Sequence, residues 1–180
     1  MEIINFITSN PGKIREARAI LNIPIAQVKM DLPEIQQVEV EEVVRWKLLE
    51  AYKLLAKPVL VEDTSLTFVA WNQLPGALIK WFLQSVGVGG LCRMLDRSEN
   101  REAIAKTAFG YCDGAKIIIA TGEIKGTIAK YPKGEQGFGW DPIFIPRGYK
   151  LTFAEMLPEQ KNEISMRRLA LENLSLLLKY

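Results

Sequence analysis

There is no histidine anywhere in the 180 residues. That excludes Ser-His-Asp and Cys-His catalysis, and any histidine-ligated zinc site. Acid and base work must fall to carboxylates, lysines, tyrosines or water. Cysteine is almost as scarce: Cys92 and Cys112 stand alone, with no Cys-x-x-Cys spacing. A disulfide framework is not expected, and a reducing cytoplasm fits. No apolar run approaches membrane-spanning length. Ile3–Ile7, behind the acidic Glu2, is too short for a signal-peptide core. Neither Gly-x-Gly-x-x-Gly nor Gly-x-x-x-x-Gly-Lys-Ser/Thr occurs, so the Rossmann fingerprint and the P-loop are both missing. A net charge of +2 calls for neither nucleic acid nor membrane as partner. What remains is ordinary for a globular chain, 48% hydrophobic and 24% charged. It is long enough for one domain with a real core, or two closely joined lobes.

The chemistry is placed at Pro58–Leu66, Pro-Val-Leu-Val-Glu-Asp-Thr-Ser-Leu. Val59–Val61 reads as a short buried strand that delivers Glu62 and Asp63 at its carboxyl end. Successive strand side chains point to opposite faces, so the two acids share a direction only if the strand has broken. Ligands collect outside the carboxyl ends of strands in open α/β sheets. A carboxylate there can hold a hard cation such as Mg²⁺, or take a proton from water. The plain alternative is two surface acids in a loop.

Upstream, Glu2–Thr8 reads as a strand and Lys13–Leu21 as a helix, with Asn10 as N-cap and Pro11 at the first helical position. Such a turn presents unpaired N–H groups and a positive dipole end, a natural phosphate seat, and Lys13 adds a full charge. Ala26–Met30 is a candidate second strand, and Asp31-Leu32-Pro33-Glu34 leaves Glu34 on a loop. Glu39–Ala56 is the best helix, with Val40, Val43, Val44, Leu48, Ala51 and Leu55 on one face. Lys47 lies inside that apolar stripe. A buried, unpaired ammonium costs several kcal/mol, so Lys47 either snorkels or meets an anion.

Leu66–Ala70 reads as the second strand of a hairpin, Gln73–Gly76 as a turn, and Ala77–Val86 as a helix carrying Lys80. The glycines at 87, 89 and 90 end it, and Leu91–Leu95 restarts a short helix. Glu102–Cys112 and Lys116–Thr121 flank Asp113-Gly114, a type I′ hairpin signal. Gly122–Lys130 extends the pattern after a kink. The middle of the chain is therefore antiparallel, which argues against a pure doubly wound fold. Gly134–Pro142 is a glycine-rich loop with Phe138 and Trp140 embedded. It offers a stacking face to a flat base, with Asp141 as hydrogen-bond acceptor; the alternative is a turn whose aromatics plug the core. Ile143–Ile145 resumes a strand. Thr152–Met156 precedes Pro158 and a helix start, with Lys161 within that helix. Ser165–Leu178 closes the chain as an amphipathic helix, capped by Ser165. Arg167 and Arg168 sit in its first turn, where the dipole disfavours cations; an anionic ligand nearby would explain them, and the plain alternative is exposed arginines.

In this order and spacing, several of these stretches resemble the inosine triphosphate pyrophosphatase family, the non-canonical purine nucleoside triphosphate pyrophosphatases. They are Thr8-Ser9-Asn10-Pro11-Gly12-Lys13, Asp31–Glu34, Val61–Leu66, Leu74-Pro75-Gly76 with Ile79-Lys80-Trp81-Phe82, Phe138–Pro142 and Thr152–Met156. The wording Trp-Asp-Pro and Ile-Lys-Trp-Phe is closer to the eukaryotic-type branch. The resemblance implies a homodimer of elongated, two-lobed α/β subunits, each a single domain with a central mixed, partly antiparallel sheet flanked by helices and a cleft between the lobes. It implies cleavage of ITP, dITP or XTP to the monophosphate and pyrophosphate with Mg²⁺, or Mn²⁺ in its place.

Carried over residue by residue, Glu34 and Asp63 would hold the metal, and Asp63 would also be the base for the attacking water. Thr8, Ser9, Asn10 and Lys13 would seat phosphates, with Thr64 and Lys80 near them. Lys47 would match the lysine that reaches the cleft from the helix. Phe138 would stack on the base, Gly139, Trp140 and Asp141 would complete the pocket, and Lys161 and Arg167 would close on the nucleotide. Two departures stand out. The family's Ser-His-Arg reads Ser165-Met166-Arg167 here, and that histidine is associated with the 6-oxo group of the base. Losing such a hydrogen bond costs roughly 1–3 kcal/mol, about tenfold to a hundredfold in binding. An altered base preference, or nucleotide binding with reduced turnover, is the alternative this raises. Ser65 is the second departure, where many members carry glycine; a smaller effect is expected.

Overall fold

The computed structural model describes residues 3–21 and 23–178; Glu2, expected to begin the first strand, lies outside them. Seven strands form one mixed sheet. They are β1 (Ile4–Ile7), β2 (Ile25–Val28), β3 (Val59–Phe68), β4 (Pro75–Gly76), β5 (Glu102–Cys112), β6 (Ile117–Ile128) and β7 (Phe144–Pro146). The order across the sheet is β2-β1-β3-β5-β6-β7, with β4 attached to β3. β1 runs parallel to β2 and β3, and every other pairing is antiparallel. Among the described residues five α-helices complete the fold: α1 (Pro11–Ile20), α2 (Val40–Leu55), α3 (Ile79–Met94), α4 (Pro158–Ile164) and α5 (Met166–Leu178).

Local chemistry accounts for the first two helices. The Asn10 side chain accepts from the N–H groups of Gly12 and Lys13, and Pro11 opens α1. The α2 stripe buries Val40, Val44, Leu48 and Ala51 against Val59, Val61 and Ala108 on one sheet face, with Val43 buried beside the cleft. Leu48 is fully buried, so truncating it to alanine costs about 2–5 kcal/mol. On the other face α1 and α5 pack through Ile14, Ala17, Leu171 and Leu174 onto Phe6, Leu60 and Phe109. A third cluster lies further along the long strands, where Leu66 and Phe68 meet Leu91, Trp140, Phe144 and Phe153. The polar middle of β3 therefore lies between apolar ends.

Four expectations need correction. Glu62 and Asp63 do not end a short strand followed by a hairpin. They sit inside one ten-residue strand, because β5 pairs with it without a break from Val59–Cys112 to Phe68–Ala103. The two acids thus point to opposite faces. The Asp113-Gly114 connection is not a two-residue type I′ turn. The last strand pair is Cys112–Ile117, so the loop has four residues, and the Asp113 carboxylate accepts from the N–H groups of Ala115 and Lys116 at 2.9 and 2.8 Å. Type I′ needs positive φ at both central residues, and Asp113 lacks it. β6 does not kink at Gly122; its ladder to β5 is continuous. The glycine serves α5 instead: a Cβ there would stand 2.2 Å from the Met166 carbonyl oxygen. Finally, the helix that begins α3 does end at the first of the glycines, breaking at Gly87 with φ 64°, but the second helical piece starts directly after it, not at Leu91, and runs to Met94 through Gly89 and Gly90.

Candidate active site

One cleft of about 680 Å³ receives every residue singled out in the sequence for metal, phosphate or base, from Thr8 to Arg167. That volume suits a nucleotide-sized ligand. Its charged groups form a chain of alternating sign. Asp141 meets Lys161 at 2.6 Å, Lys161 meets Glu16 at 2.8 Å, and Glu16 pairs with Arg167. Arg167 reaches Glu62 at 3.2 Å, Glu62 faces Lys13 at 3.3 Å, and Lys13 faces Asp63 at 3.6 Å. Asp63 lies 3.8 Å from Lys47, which bonds Glu34 at 2.5 Å, and Glu34 is 3.5 Å from the exposed Lys80. Five acids and five cations thus face each other in turn.

Each member has a structural reason for its place. Asp63 projects on the α2 side of β3, where Lys47 rises from the helix stripe; of the two outcomes its position left open, the lysine meets an anion. Burial pulls the Lys47 ammonium down, but Asp63 and Glu34 outweigh it and hold it above its usual value. Burial likewise pushes the Asp63 carboxyl up, yet Lys13, Lys47 and the Thr64 N–H bring it below its ordinary range. It is a carboxylate at neutral pH. Glu62 projects on the α5 side and is 2% exposed. Glu34 lies on the loop before α2, which is tied to the start of α3. The Ala77 N–H donates to the Val38 carbonyl at 2.9 Å, and the Trp81 indole donates to Gln36.

The turn before α1 differs from a bare phosphate seat. The Asn10 side chain already takes the Gly12 and Lys13 N–H groups, at 2.8 and 3.3 Å, and the Thr8 hydroxyl accepts from the Asn10 N–H. What remains for a ligand is the Lys13 ammonium with the Thr8, Ser9 and Asn10 side chains. At the far end, the Phe138 ring lies against the first turn of α1. A Cβ on Gly12 would stand 2.4 Å from its Cδ1. The Lys161 ammonium and the Arg167 guanidinium lie 4.7 and 5.5 Å from the ring centroid. Trp140 is a core plug, 5% exposed and edge-on to Phe144 at 5.5 Å. Met166 is 2% exposed and packs in the same apolar cluster. Ser65 is buried and does not line the cleft.

A profile described as the Ham1 family matches residues 4–176. The chain belongs to the Ham1 family. It is 47% identical over 178 residues to an inosine triphosphate pyrophosphatase of Yarrowia lipolytica, covering 96% of this chain and 94% of that one. It is 42% identical over 171 residues to a dITP/XTP pyrophosphatase of Methanopyrus kandleri, covering 93% and 91%. In fold it is similar to a HAM1 protein from Coxiella burnetii, with a TM-score of 0.87 at 28% identity over 99% of both chains.

For this Ham1-family chain, two buried acids of the charged chain, Glu62 in the cleft and Glu16 behind it, escaped the sequence reading as site residues. Glu62 was noticed only as half of an acidic pair. Glu16 was not noticed at all, although it lies one turn beyond Gly12 on the same side of α1, facing the loop that carries Phe138. Arg167 is neither exposed nor facing only a ligand: the anions beside it are the protein's own, Glu16 and Glu62.

Proposed function

We propose that this chain is a nucleoside triphosphate pyrophosphatase that hydrolyses ITP, dITP and XTP to the monophosphate and pyrophosphate, clearing non-canonical purines from the nucleotide pool. The names of its Ham1 relatives support the reaction class. The observation that carries the reading is the meeting of Glu34 and Asp63, from separate elements, at the Lys47 ammonium in the cleft.

The donor set fits Mg²⁺, with Mn²⁺ in its place. Among the described residues no cluster of three or more histidine, cysteine or acidic side chains forms a metal cage. Mg²⁺ is commonly held by one or two carboxylates together with substrate phosphates and water, which is what Glu34 and Asp63 offer. The charge pattern argues the same way. Lys13, Lys47 and Lys80 already have carboxylate partners, so a triphosphate brings negative charge that the resident cations alone do not offset. A divalent ion held by Glu34 and Asp63 would supply the offsetting positive charge and would lower the pKa of a bound water.

The chain's own residues do the rest. Lys13, with Thr8, Ser9, Asn10 and Thr64, orients the phosphates, and Lys80 meets them from α3. Lys47 steadies Asp63 and faces the charge that grows on the leaving pyrophosphate. Asp63 accepts the proton of the attacking water. Its depressed pKa suits a metal ligand and makes it a weak base. Phe138 stacks on the purine; Lys161, Arg167, Asp141, Gly139 and Trp140 enclose it.

Pyrophosphate release from ITP, dITP and XTP with Mg²⁺ tests the proposal, on the wild type and on Asp63→Asn. Turnover that the substitution abolishes without unfolding the chain is expected. No release from any of the three sinks it. A second reading, altered base preference, is favoured by Met166, which offers the base packing and no strong donor. ATP, GTP and pyrimidine triphosphates in the same panel separate the two. We further read the chain as one two-lobed domain that works as a cytoplasmic homodimer without nucleic acid or membrane. Two buried free cysteines support the reducing compartment, and among the described residues no helix is long and apolar enough to cross a membrane. Sedimentation equilibrium tests the dimer.

A further inference from the structure

Glu16 is a buried member of the chain of charges behind the cleft, and the reaction above gives it no task. It is 6% exposed on α1, and both carboxylate oxygens are taken: one accepts from Lys161 at 2.8 Å, the other from Arg167. A lone carboxylate at that depth would neutralise itself by keeping a proton. Burial does push its pKa up, but Arg167 and Lys161 outweigh burial and hold it below the ordinary value. Lys161 also faces Asp141 at 2.6 Å and Arg167 faces Glu62 at 3.2 Å. Lys13, on the same helix as Glu16, turns to Glu62 instead. Both Lys161 and Arg167 lie beside the Phe138 ring. The stacking end of the cleft therefore holds two cations faced by three carboxylates, and it has no spare positive charge. Without Glu16 each cation would lose one of its two acidic partners.

We propose that Glu16 is a specificity-determining residue. By neutralising Lys161 and Arg167 it makes this pocket favour an electrically neutral 6-oxopurine ring over an anionic one. The proposal rests on the reading of the cleft as an ITP and XTP site. The distinction is chemical. The hypoxanthine ring keeps its N–H protons at neutral pH. Xanthine, with a second carbonyl to spread the charge, is the stronger acid and loses a ring proton near neutrality. XTP thus presents a neutral ring in mild acid and an anion above it.

The test is kcat/KM for XTP divided by that for ITP, measured on the wild type with saturating Mg²⁺ between about pH 5 and about pH 7.5. The expected result is a ratio that falls about tenfold as the xanthine ring ionises, the scale of one neighbouring charge acting on a partly buried group. ITP cancels every ionisation of the protein that acts on both substrates alike. In Glu16→Gln, which keeps the size and an acceptor, the ratio at the upper pH should rise about tenfold over wild type, and the two proteins should agree at the lower pH. Glu16→Asp, which keeps the charge, should retain the wild-type ordering at reduced rate. A wild-type ratio that is flat or rises with pH overturns the proposal, whether or not Glu16→Gln folds. Equal losses on both substrates at both pH values in Glu16→Gln also overturn it and leave Glu16 a structural role. Absence of turnover on both substrates in the wild type overturns the pyrophosphatase reading itself, an outcome distinct from turnover with a flat ratio.

Discussion

Arg167 and Arg168 are neighbours on α5 with the same chemistry and opposite surroundings, and replacing each by methionine isolates what burial does. The Arg168 side chain is 39% exposed and pairs with Glu172 one turn on, itself 48% exposed. Such a surface pair contributes about 0.3–0.5 kcal/mol. For a chain of this size its loss lowers the melting midpoint by about 1–2 °C. Arg167 is 1% exposed and bridges Glu16 and Glu62, both buried. Removing one partner of a buried pair costs about 3–5 kcal/mol, because the remaining charge is left uncompensated. Here neither carboxylate is left entirely alone: Glu16 keeps Lys161 and Glu62 keeps Lys13 at 3.3 Å. Methionine also fills much of the vacated space. The lower end of the range applies, about 3 kcal/mol, or a fall of about 6–12 °C in the midpoint. The assay is thermal unfolding followed by circular dichroism, without nucleotide or Mg²⁺, since any ligand that binds only the folded state would mask the difference. If Arg167→Met melts within about 2 °C of Arg168→Met, the buried chain of charges does not hold this part of the fold together.

Three further outcomes follow from the cleft. Lys47→Met removes the ammonium that Glu34 and Asp63 share, so Mg²⁺ should half-activate the variant at a lower concentration while kcat falls by about a hundredfold; a higher Mg²⁺ requirement would mean that Lys47 helps to build the metal site. Gly12→Ala places a Cβ against the Phe138 ring. KM for ITP should rise several-fold with the fold intact, and an unchanged KM would remove Phe138 from the stacking role. Acid should unfold the metal-free chain late. Glu16 and Asp63 titrate below their ordinary values of 4.5 and 3.8 when folded, so their stabilisation is complete above those values and is lost as pH falls through the folded ones. Burial raises Asp141 instead, against the pull of Lys161, so protonation there favours the folded state and offsets part of the loss. The urea midpoint should hold from about pH 7 to about pH 5 and drop below it; a midpoint that rose as pH fell from about 7 would show the raised Asp141 in control, and a drop that began near pH 7 would refute the assignment to Glu16 and Asp63.

What could be read from the sequence, and what could not, follows the reach of each signal. Asn10 and Pro11 mark α1, and the 3.6-residue stripe marks α2, because capping and amphipathicity act within a few residues. The length of β3 was not readable. Its polar middle, Glu62 to Ser65, looks like an ending, and only the ladder from β5 some forty residues later keeps it extended. Lys47 was legible because it breaks a local pattern: an ammonium in an apolar stripe asks for a partner. Glu16 breaks none. It follows Lys13, Ile14 and Arg15 in an unremarkable helix, and its partners lie 145 and 151 residues away. Arg167 and Arg168 carry the same signal in sequence, since both stand where the helix dipole disfavours a cation. A residue step on a helix turns the side chain by about 100°, and that rotation alone sends one inward and the other to solvent. Which one turns inward depends on how closely α5 can approach β6, and Gly122 permits the approach by having no Cβ to meet the Met166 carbonyl. Replacing Gly122 by alanine should therefore disturb the cleft through Arg167 and weaken turnover, although Gly122 itself touches no charged group of the chain that runs from Asp141 to Lys80.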